Sequence, residues 1–173
     1  IKADDFYAVI EISKGSKNKY ELDKDTGLIM LDRILYTSTH YPANYGFIPL
    51  TYANDLDPLD VLVLCSEALV PVSLVRCYPI GVIRMIDGKY DDDKIIAIPY
   101  NDPNMNHYKT LDDVPKHMIS EIEHFFMVYK NLEHKSTTGF KLEGKKQAID
   151  IINQALQDYQ KSKDKLIRKN IRL

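Results

Sequence analysis

The sequence predicts an α+β fold, with a closed or nearly closed antiparallel sheet built first and helices packed on it. Two observations carry this. Residues 1 to 100 fall into short β-branched or alternating runs, broken by turns rich in Gly, Pro and Asp. The last third changes to apolar residues at steps of three and four. Size agrees: 173 residues, 45% hydrophobic and 28% charged, suit about one soluble domain around a single sizeable core.

In chain order, Phe6 to Ile12 is apolar and β-branched, a strand. Lys19 to Leu22 alternates, a turn follows at Asp23–Gly27, and Leu28 to Tyr36 alternates again. Asp60 to Cys65 is a continuous apolar run that suits a strand covered on both faces. Leu74 to Ile86 holds Gly81 midway, which predicts one bent strand or two short ones. Lys94 to Ile98 is another β-branched run, stopped by Pro99. Asp112 or Asp113 is expected to cap a helix with Pro115 in its first turn. Met118, Ile122, Phe125, Tyr129 and Leu132 form its apolar face. A second helix carries Ala148, Ile151, Ile152, Ala155, Leu156 and Tyr159 on one face. From Lys161 to Leu173, six basic residues face only Asp164, as in a solvated helix extension or frayed tail. Leu166, Ile167 and Ile171 would share one side of that extension.

Composition narrows the function classes. The formal net charge is −2 and the pI about 6.2, so no general attraction to nucleic acid or anionic membrane is expected. No apolar run approaches the ~20 residues of a membrane span. Cys65 and Cys77 lie in apolar stretches without metal-ligand spacing, and are expected as buried reduced thiols of a cytoplasmic protein.

The informative stretch is Asn54-Asp55-Leu56-Asp57-Pro58-Leu59-Asp60. Alternation puts Asp55 and Asp57 on one side of an extended backbone, and Asp60 starts the next strand. Such a cluster at a sheet rim is unfavourable by itself, and a hard divalent cation, Mg²⁺, Mn²⁺ or Ca²⁺, relieves it. An EF-hand is excluded, because counting from Asp55 the required positions fall on Leu59, Asp60 and Ser66. Turn chemistry in a solvated loop is the plain alternative. A second acidic group, Asp87 and Asp91-Asp92-Asp93, lies in a hairpin between two strands of the same sheet and is placed to converge on the same rim. Basic and phenolic groups accompany these acids: Lys19 and Glu21 on one side of a strand, Arg33 in the next, Tyr41 and Tyr45 around Pro42-Ala43-Asn44, and Tyr129-Lys130 at the helix end. Arg grips phosphate oxygens in pairs, and Lys and Tyr add donors, so a substrate with several phosphate oxygens fits.

Taken together these residues resemble the soluble family I inorganic pyrophosphatases. The matches run collinearly through Ala8-Val9-Ile10-Glu11-Ile12, Lys19-Tyr20-Glu21, Leu31-Asp32-Arg33 and Tyr41-Pro42-Ala43-Asn44-Tyr45-Gly46. They continue through Asp55-x-Asp57-Pro58-Leu59-Asp60-Val61, Asp87, Asp92, Lys94 and Phe125-Phe126-x-x-Tyr129-Lys130-x-Leu132-Glu133. The resemblance covers about Phe6 to Tyr159, which divides the chain into a pyrophosphatase domain, 1–160, and a basic C-terminal extension, 161–173.

The resemblance implies a five-stranded OB-like β-barrel with helices packed outside, two of them C-terminal. It implies hydrolysis of pyrophosphate to two phosphates with several Mg²⁺ ions, Mn²⁺ or another divalent ion being an alternative. It also implies a homo-oligomer, a hexamer in bacterial relatives of this length. By the same resemblance Asp55, Asp60, Asp87 and Asp92 are metal ligands, with Asp60 bridging the two ions that hold the attacking water. Asp57 is the proton acceptor. Lys19 and Tyr45 hold the attacked phosphoryl group, and Arg33, Tyr129 and Lys130 the leaving phosphate. Glu11, Glu21, Tyr41 and Lys94 bind a further metal or orient neighbours. Metal-acidified water and cationic neutralisation of the phosphoryl oxygens make these roles physically coherent.

The chain departs from the family pattern in four places. Leu56 stands where a small residue is usual, Gly88 where Glu is usual after Asp87, and Tyr90 where the hairpin often has Gly. Thr138-Gly139-Phe140 replaces the usual Trp region. With Gly88 in place of Glu, one outer metal ligand is expected either to be missing, lowering the occupancy of that site, or to be replaced by Asp91 or Asp93. Two other readings compete: a two-metal nuclease or nucleotide phosphohydrolase, disfavoured by the lack of a P-loop or Rossmann glycine pattern, and an OB-type binding module with Tyr41, Tyr45 and Phe47 as a stacking platform.

Overall fold

The computed structural model describes residues 1–135 and 137–170, with side chains through 163. Nine strands and two helices are assigned among them: β1 (Phe6–Ile12), β2 (Asn18–Leu22), β3 (Ile29–Ile34), β4 (Asn44–Ile48), β5 (Leu59–Val63), β6 (Leu74–Asp87), β7 (Tyr90–Asp91), β8 (Lys94–Pro99), α1 (Lys116–Val128), β9 (Thr138–Gly144) and α2 (Lys145–Asn170). Strands β1, β4, β5, β8 and β6 are hydrogen-bonded in that order, and β6 pairs back onto β1. The five-stranded OB-like barrel is therefore closed. One expectation needs correcting: the sheet is not wholly antiparallel, because β5 and β8 run parallel, with Asp60 opposite Lys94. An antiparallel and a parallel neighbour are indistinguishable in short apolar runs buried on both faces.

β5 is buried on both sides, as its composition predicts. Leu62 and Leu64 join a core that includes Ile80, Ile96, Ile122, Phe125 and Phe126. Val61 and Val63 join a second core with Ile10, Val82, Ile95, Ala148 and Ile152. One helix thus covers each core, and the two stripes expected for α1 and α2 supply the cover.

Segment Leu74 to Asp87 is a single strand of 14 residues with a register shift between Pro79 and Gly81. Its first half pairs with β1 and its second with β9, so Pro79, which lacks an N–H, sits where the partner changes. At Gly46 in β4 an added Cβ would stand 1.8 Å from the carbonyl oxygen of Val9, so only glycine permits the β1–β4 approach. β2 and β3 form a hairpin sheet of their own.

α1 begins after Pro115, and neither Asp112 nor Asp113 caps it. Those acids instead belong to a 3₁₀ turn at Leu111–Asp113, where Asp113 accepts from the N–H groups of Lys109 and Thr110 at 2.9 and 3.0 Å. Leu132 leaves the α1 face, exposed in a following 3₁₀ turn at Asn131–Glu133. β4 and β9 were not anticipated; β9 takes in Thr138-Gly139-Phe140, and Phe140 packs on the first core. α2 runs through position 160 without a break. The side chains of Leu166, Ile167 and Ile171 lie outside the described residues. No helix among the described residues is long and apolar enough to cross a membrane.

Candidate active site

Three strands bring the deepest charges together. Tyr45 of β4, Asp60 of β5 and Lys94 of β8 meet on one side of the barrel. Lys94 is only 2% exposed. Its ammonium donates to the Tyr45 hydroxyl at 2.8 Å, to Asp60 Oδ2 at 3.0 Å and to both carboxylate oxygens of Asp92 at 3.1 Å. Tyr45 in turn donates to Asp60. Burial opposes the charge on Lys94, but Asp60 and Asp92 outweigh it and raise its pKa. Burial raises Asp60, against the pull of Lys94. Burial, reinforced by Asp60, also raises the Tyr45 phenol.

The acidic loop is set by the entry to β5. Buried Thr51 accepts from the Leu59 N–H at 2.9 Å and donates to the Ile48 carbonyl. Asp55 accepts from the Asp57 N–H at 3.1 Å, an Asx turn, and Leu56 takes φ +69° between them. The backbone is thus turned here and not extended as alternation predicted, and Leu56 adopts its left-handed conformation under strain. Burial pushes Asp55 up to about 6, opposed by the Asp57 N–H and aided by Asp60.

The hairpin β2–β3 closes one side. Glu11 of β1 accepts from the Leu22 N–H at 2.7 Å, and burial raises its carboxyl to about 7. Lys19 contacts Glu21 at 2.8 Å and Asp32 at 3.3 Å; burial works against its charge, but these carboxylates raise it. The opposite side is the end of α1, where Lys130 lies 3.5 Å from Asp87. Nearby, Phe125 stacks on Tyr129 with ring centroids 5.0 Å apart and meets Tyr41 at a tilt with centroids 4.7 Å apart, and burial raises the Tyr41 phenol.

These walls enclose a cavity of about 310 Å³. Thirteen of the fourteen residues singled out from the sequence line it: Asp55, Asp57, Asp60, Asp87, Asp92, Lys19, Tyr45, Tyr129, Lys130, Glu11, Glu21, Tyr41 and Lys94. Arg33 does not. It is paired with Lys19 across β2–β3 but is held outside the lining by Asp32 and Glu133. Neither Asp91 nor Asp93 lines the cavity, which favours the alternative that the ligand at 88 is missing over its replacement by either. Alternation sends Asp92 inward, while Asp93 pairs with Arg84 at 2.8 Å.

Seven carboxylates and four lysines, counting Lys24, line the cavity. Left so, it repels a polyanion. Hard oxygen donors in such excess fit Mg²⁺-like ions. Among the described residues no three acidic, His or Cys side chains converge tightly enough to chelate one ion, and the Lys94 ammonium stands between Asp60 and Asp92.

A family model described as inorganic pyrophosphatase matches residues 8–160. The chain belongs to the inorganic pyrophosphatase family. It is 44% identical over 160 residues to the inorganic pyrophosphatase of Haloferax volcanii, covering 92% of this chain and 90% of that protein. The structure of the Helicobacter pylori inorganic pyrophosphatase superposes with TM-score 0.86 at 44% identity, covering 92% and 95% of the two chains. That of Thermus thermophilus gives 0.87 at 38% identity, covering 91% and 92%. Within this pyrophosphatase-family cavity, sequence reasoning missed Lys24 and Phe126, and treated Tyr90 only as a departure. Lys24 sits in a turn where nothing marks it. Phe126 carried only the signal of a core residue, and its ring lies under the Lys94 ammonium at 5.3 Å.

Proposed function

We propose that this chain hydrolyses inorganic pyrophosphate to two orthophosphates, using several Mg²⁺ ions held by Asp55, Asp60, Asp87 and Asp92. The observation that carries the reading is the joint lining of one cavity by those four carboxylates, Asp57, and the anion-binding Lys19, Tyr45 and Lys130. Divalent ions bound there supply acidified water and cancel charge on the phosphoryl oxygens. Asp60 would hold the ions that supply this water. Asp57, exposed in the loop above it, accepts the water proton as the new P–O bond forms and the bridging P–O bond breaks. Lys19 and Tyr45 hold the attacked phosphoryl group. Lys130 and Tyr129 take up the charge that collects on the departing phosphate, and Arg33, which is held behind the lining by Asp32 and Glu133, joins them by turning inward. Glu11 and Glu21 serve a further ion; Tyr41 and Lys94 orient the groups beside them.

Assembly as a homohexamer in the cytoplasm belongs to the same proposal. Exposed Tyr7, Leu28, Met30, Val70 and Leu74 support an oligomer, since their apolar surface is left uncovered by one chain. Phosphate release from pyrophosphate, ATP and single-stranded DNA in parallel, with Mg²⁺ and with chelator, tests the activity. Mg²⁺-dependent release from pyrophosphate alone is expected. Equal release from ATP or DNA would move the assignment to a broader phosphohydrolase or a nuclease.

A further inference from the structure

We propose that Glu133 is a positioning residue that sets Arg33 for the leaving phosphate, bracing the β2–β3 hairpin against the end of α1. The inference rests on the pyrophosphate reading of the cavity. Arg33 lies on a hairpin that is a sheet of its own, whereas Tyr129 and Lys130 end the helix across the cavity. A clamp made from both sides needs a tie between them.

Glu133 is that tie. Its side chain is 8% exposed, and its Oε1 stands 2.8 Å from Arg33 Nε. The 3₁₀ turn fixes it relative to Lys130, because the Glu133 N–H donates to the Lys130 carbonyl at 3.0 Å. The contact is a charge pair without an aligned N–H, and Oε2 is buried with no hydrogen-bond partner among the described residues. Coulomb attraction tolerates rotation that an aligned hydrogen bond does not. The guanidinium can therefore swing toward an anion while remaining held. The arrangement of its donors agrees. Glu133 takes the stem-side Nε and Asp32 takes NH1, which leaves NH2 with no partner among the described residues. Without Glu133, Arg33 would fall back on Asp32, which is also shared with Lys19.

The test is calorimetric binding of imidodiphosphate, a pyrophosphate analogue with a P–N–P bridge, in Mg²⁺ buffer, together with pyrophosphate kinetics. Glu133→Gln is expected to raise the analogue Kd and KM about tenfold. Arg33→Lys should do the same, and the double variant should also show about tenfold rather than a hundredfold, because both remove one arrangement. Glu133→Asp keeps the charge and should show only about a threefold rise, and it serves if the Gln variant does not fold. Unchanged Kd in folded variants, multiplicative losses in the double variant, or tighter binding by Glu133→Gln would overturn the inference. A wild-type chain that neither binds the analogue nor splits pyrophosphate would instead overturn the reading of the cavity, and the inference with it.

Discussion

Asp60 and Lys94 are direct neighbours across the barrel's parallel strand pair, with the ammonium 3.0 Å from the carboxylate. Parallel register places the two side chains abreast at one end of β5 and β8. The barrel's one departure from antiparallel pairing among the described strands thus coincides with the deepest charge in the cavity. A nearly fully buried ammonium persists there because three acceptors, Tyr45, Asp60 and Asp92, satisfy its three N–H groups.

Lys94→Met should therefore be costly despite similar volume. It leaves Asp60 and Asp92 with uncompensated charge, a loss of about 3–5 kcal/mol. Urea unfolding in chelator buffer at neutral pH should show it. Added Mg²⁺ should return part of the loss, since the freed carboxylates take the ion. A midpoint equal to wild type in chelator would mean that the ammonium contributes nothing net.

Asp102 offers a pH test away from the cavity. It is 6% exposed and accepts from the Ser66 N–H at 2.7 Å, the Ser66 hydroxyl at 3.0 Å and the Asn104 N–H at 3.0 Å. Burial raises its carboxyl, but these donors prevail and hold it below its ordinary 3.8. The carboxylate therefore stabilises the fold fully above pH 3.8, and this is lost as pH falls through the lower folded value. Asp102→Asn should cost about 1–3 kcal/mol at pH 7. The gap from wild type should narrow below pH 3.8. A gap constant down to pH 3 would show that the charge is not what binds the two loops.

What could be read from the chain alone divides along physical lines. The acids of Asp55–Asp60 were legible from their spacing just ahead of an apolar strand, although an Asx turn with left-handed Leu56, and not an extended run, sets the direction of Asp55 and Asp57. Of Asp91-Asp92-Asp93, the resemblance singled out Asp92, which lines the cavity; Asp91 and Asp93 stayed open as substitutes because a hairpin tip can point any of its residues. β4 escaped notice because Gly46 breaks its five-residue run, and β9 because Gly139 interrupts its start. The Arg33–Glu133 contact joins residues far apart in sequence, so no local spacing announces it. The acids at 112 and 113 looked like a helix cap, but the turn closed by Thr110 claims them first.

Leu56 should be replaceable by glycine with gain. Its φ of +69° costs an L-residue roughly 1–2 kcal/mol. Glycine brings back roughly 0.5–1 kcal/mol of extra chain entropy. The side chain is 65% exposed, so little packing is lost. Leu56→Gly should thus raise the urea midpoint by the equivalent of about 0.5–1 kcal/mol. A lower midpoint would show that contacts of the leucine side chain hold the acidic loop.

Gly88 decides whether a missing carboxylate can be put back. Asp87 and Tyr90 are paired across β6–β7, so Gly88 and Lys89 form a two-residue turn, and Gly88 has φ +62°. Nothing stands within 4 Å of a Cβ there, so the obstacle is backbone conformation and not space. A carboxylate beside Asp87 should strengthen the grip on an outer Mg²⁺ ion, because Asp91 and Asp93 do not line the cavity. Glutamate, the usual family residue, meets the left-handed cost and should destabilise by about 1 kcal/mol. Aspartate tolerates that region better through its short polar side chain. Gly88→Asp is therefore expected to lower the Mg²⁺ concentration for half-maximal pyrophosphate hydrolysis with less loss of thermal stability than Gly88→Glu. Titrating activity against Mg²⁺ for both variants, beside their melting temperatures, separates the two effects. If Gly88→Asp keeps its fold and its Mg²⁺ requirement matches wild type, a carboxylate at this turn does not reach the ion.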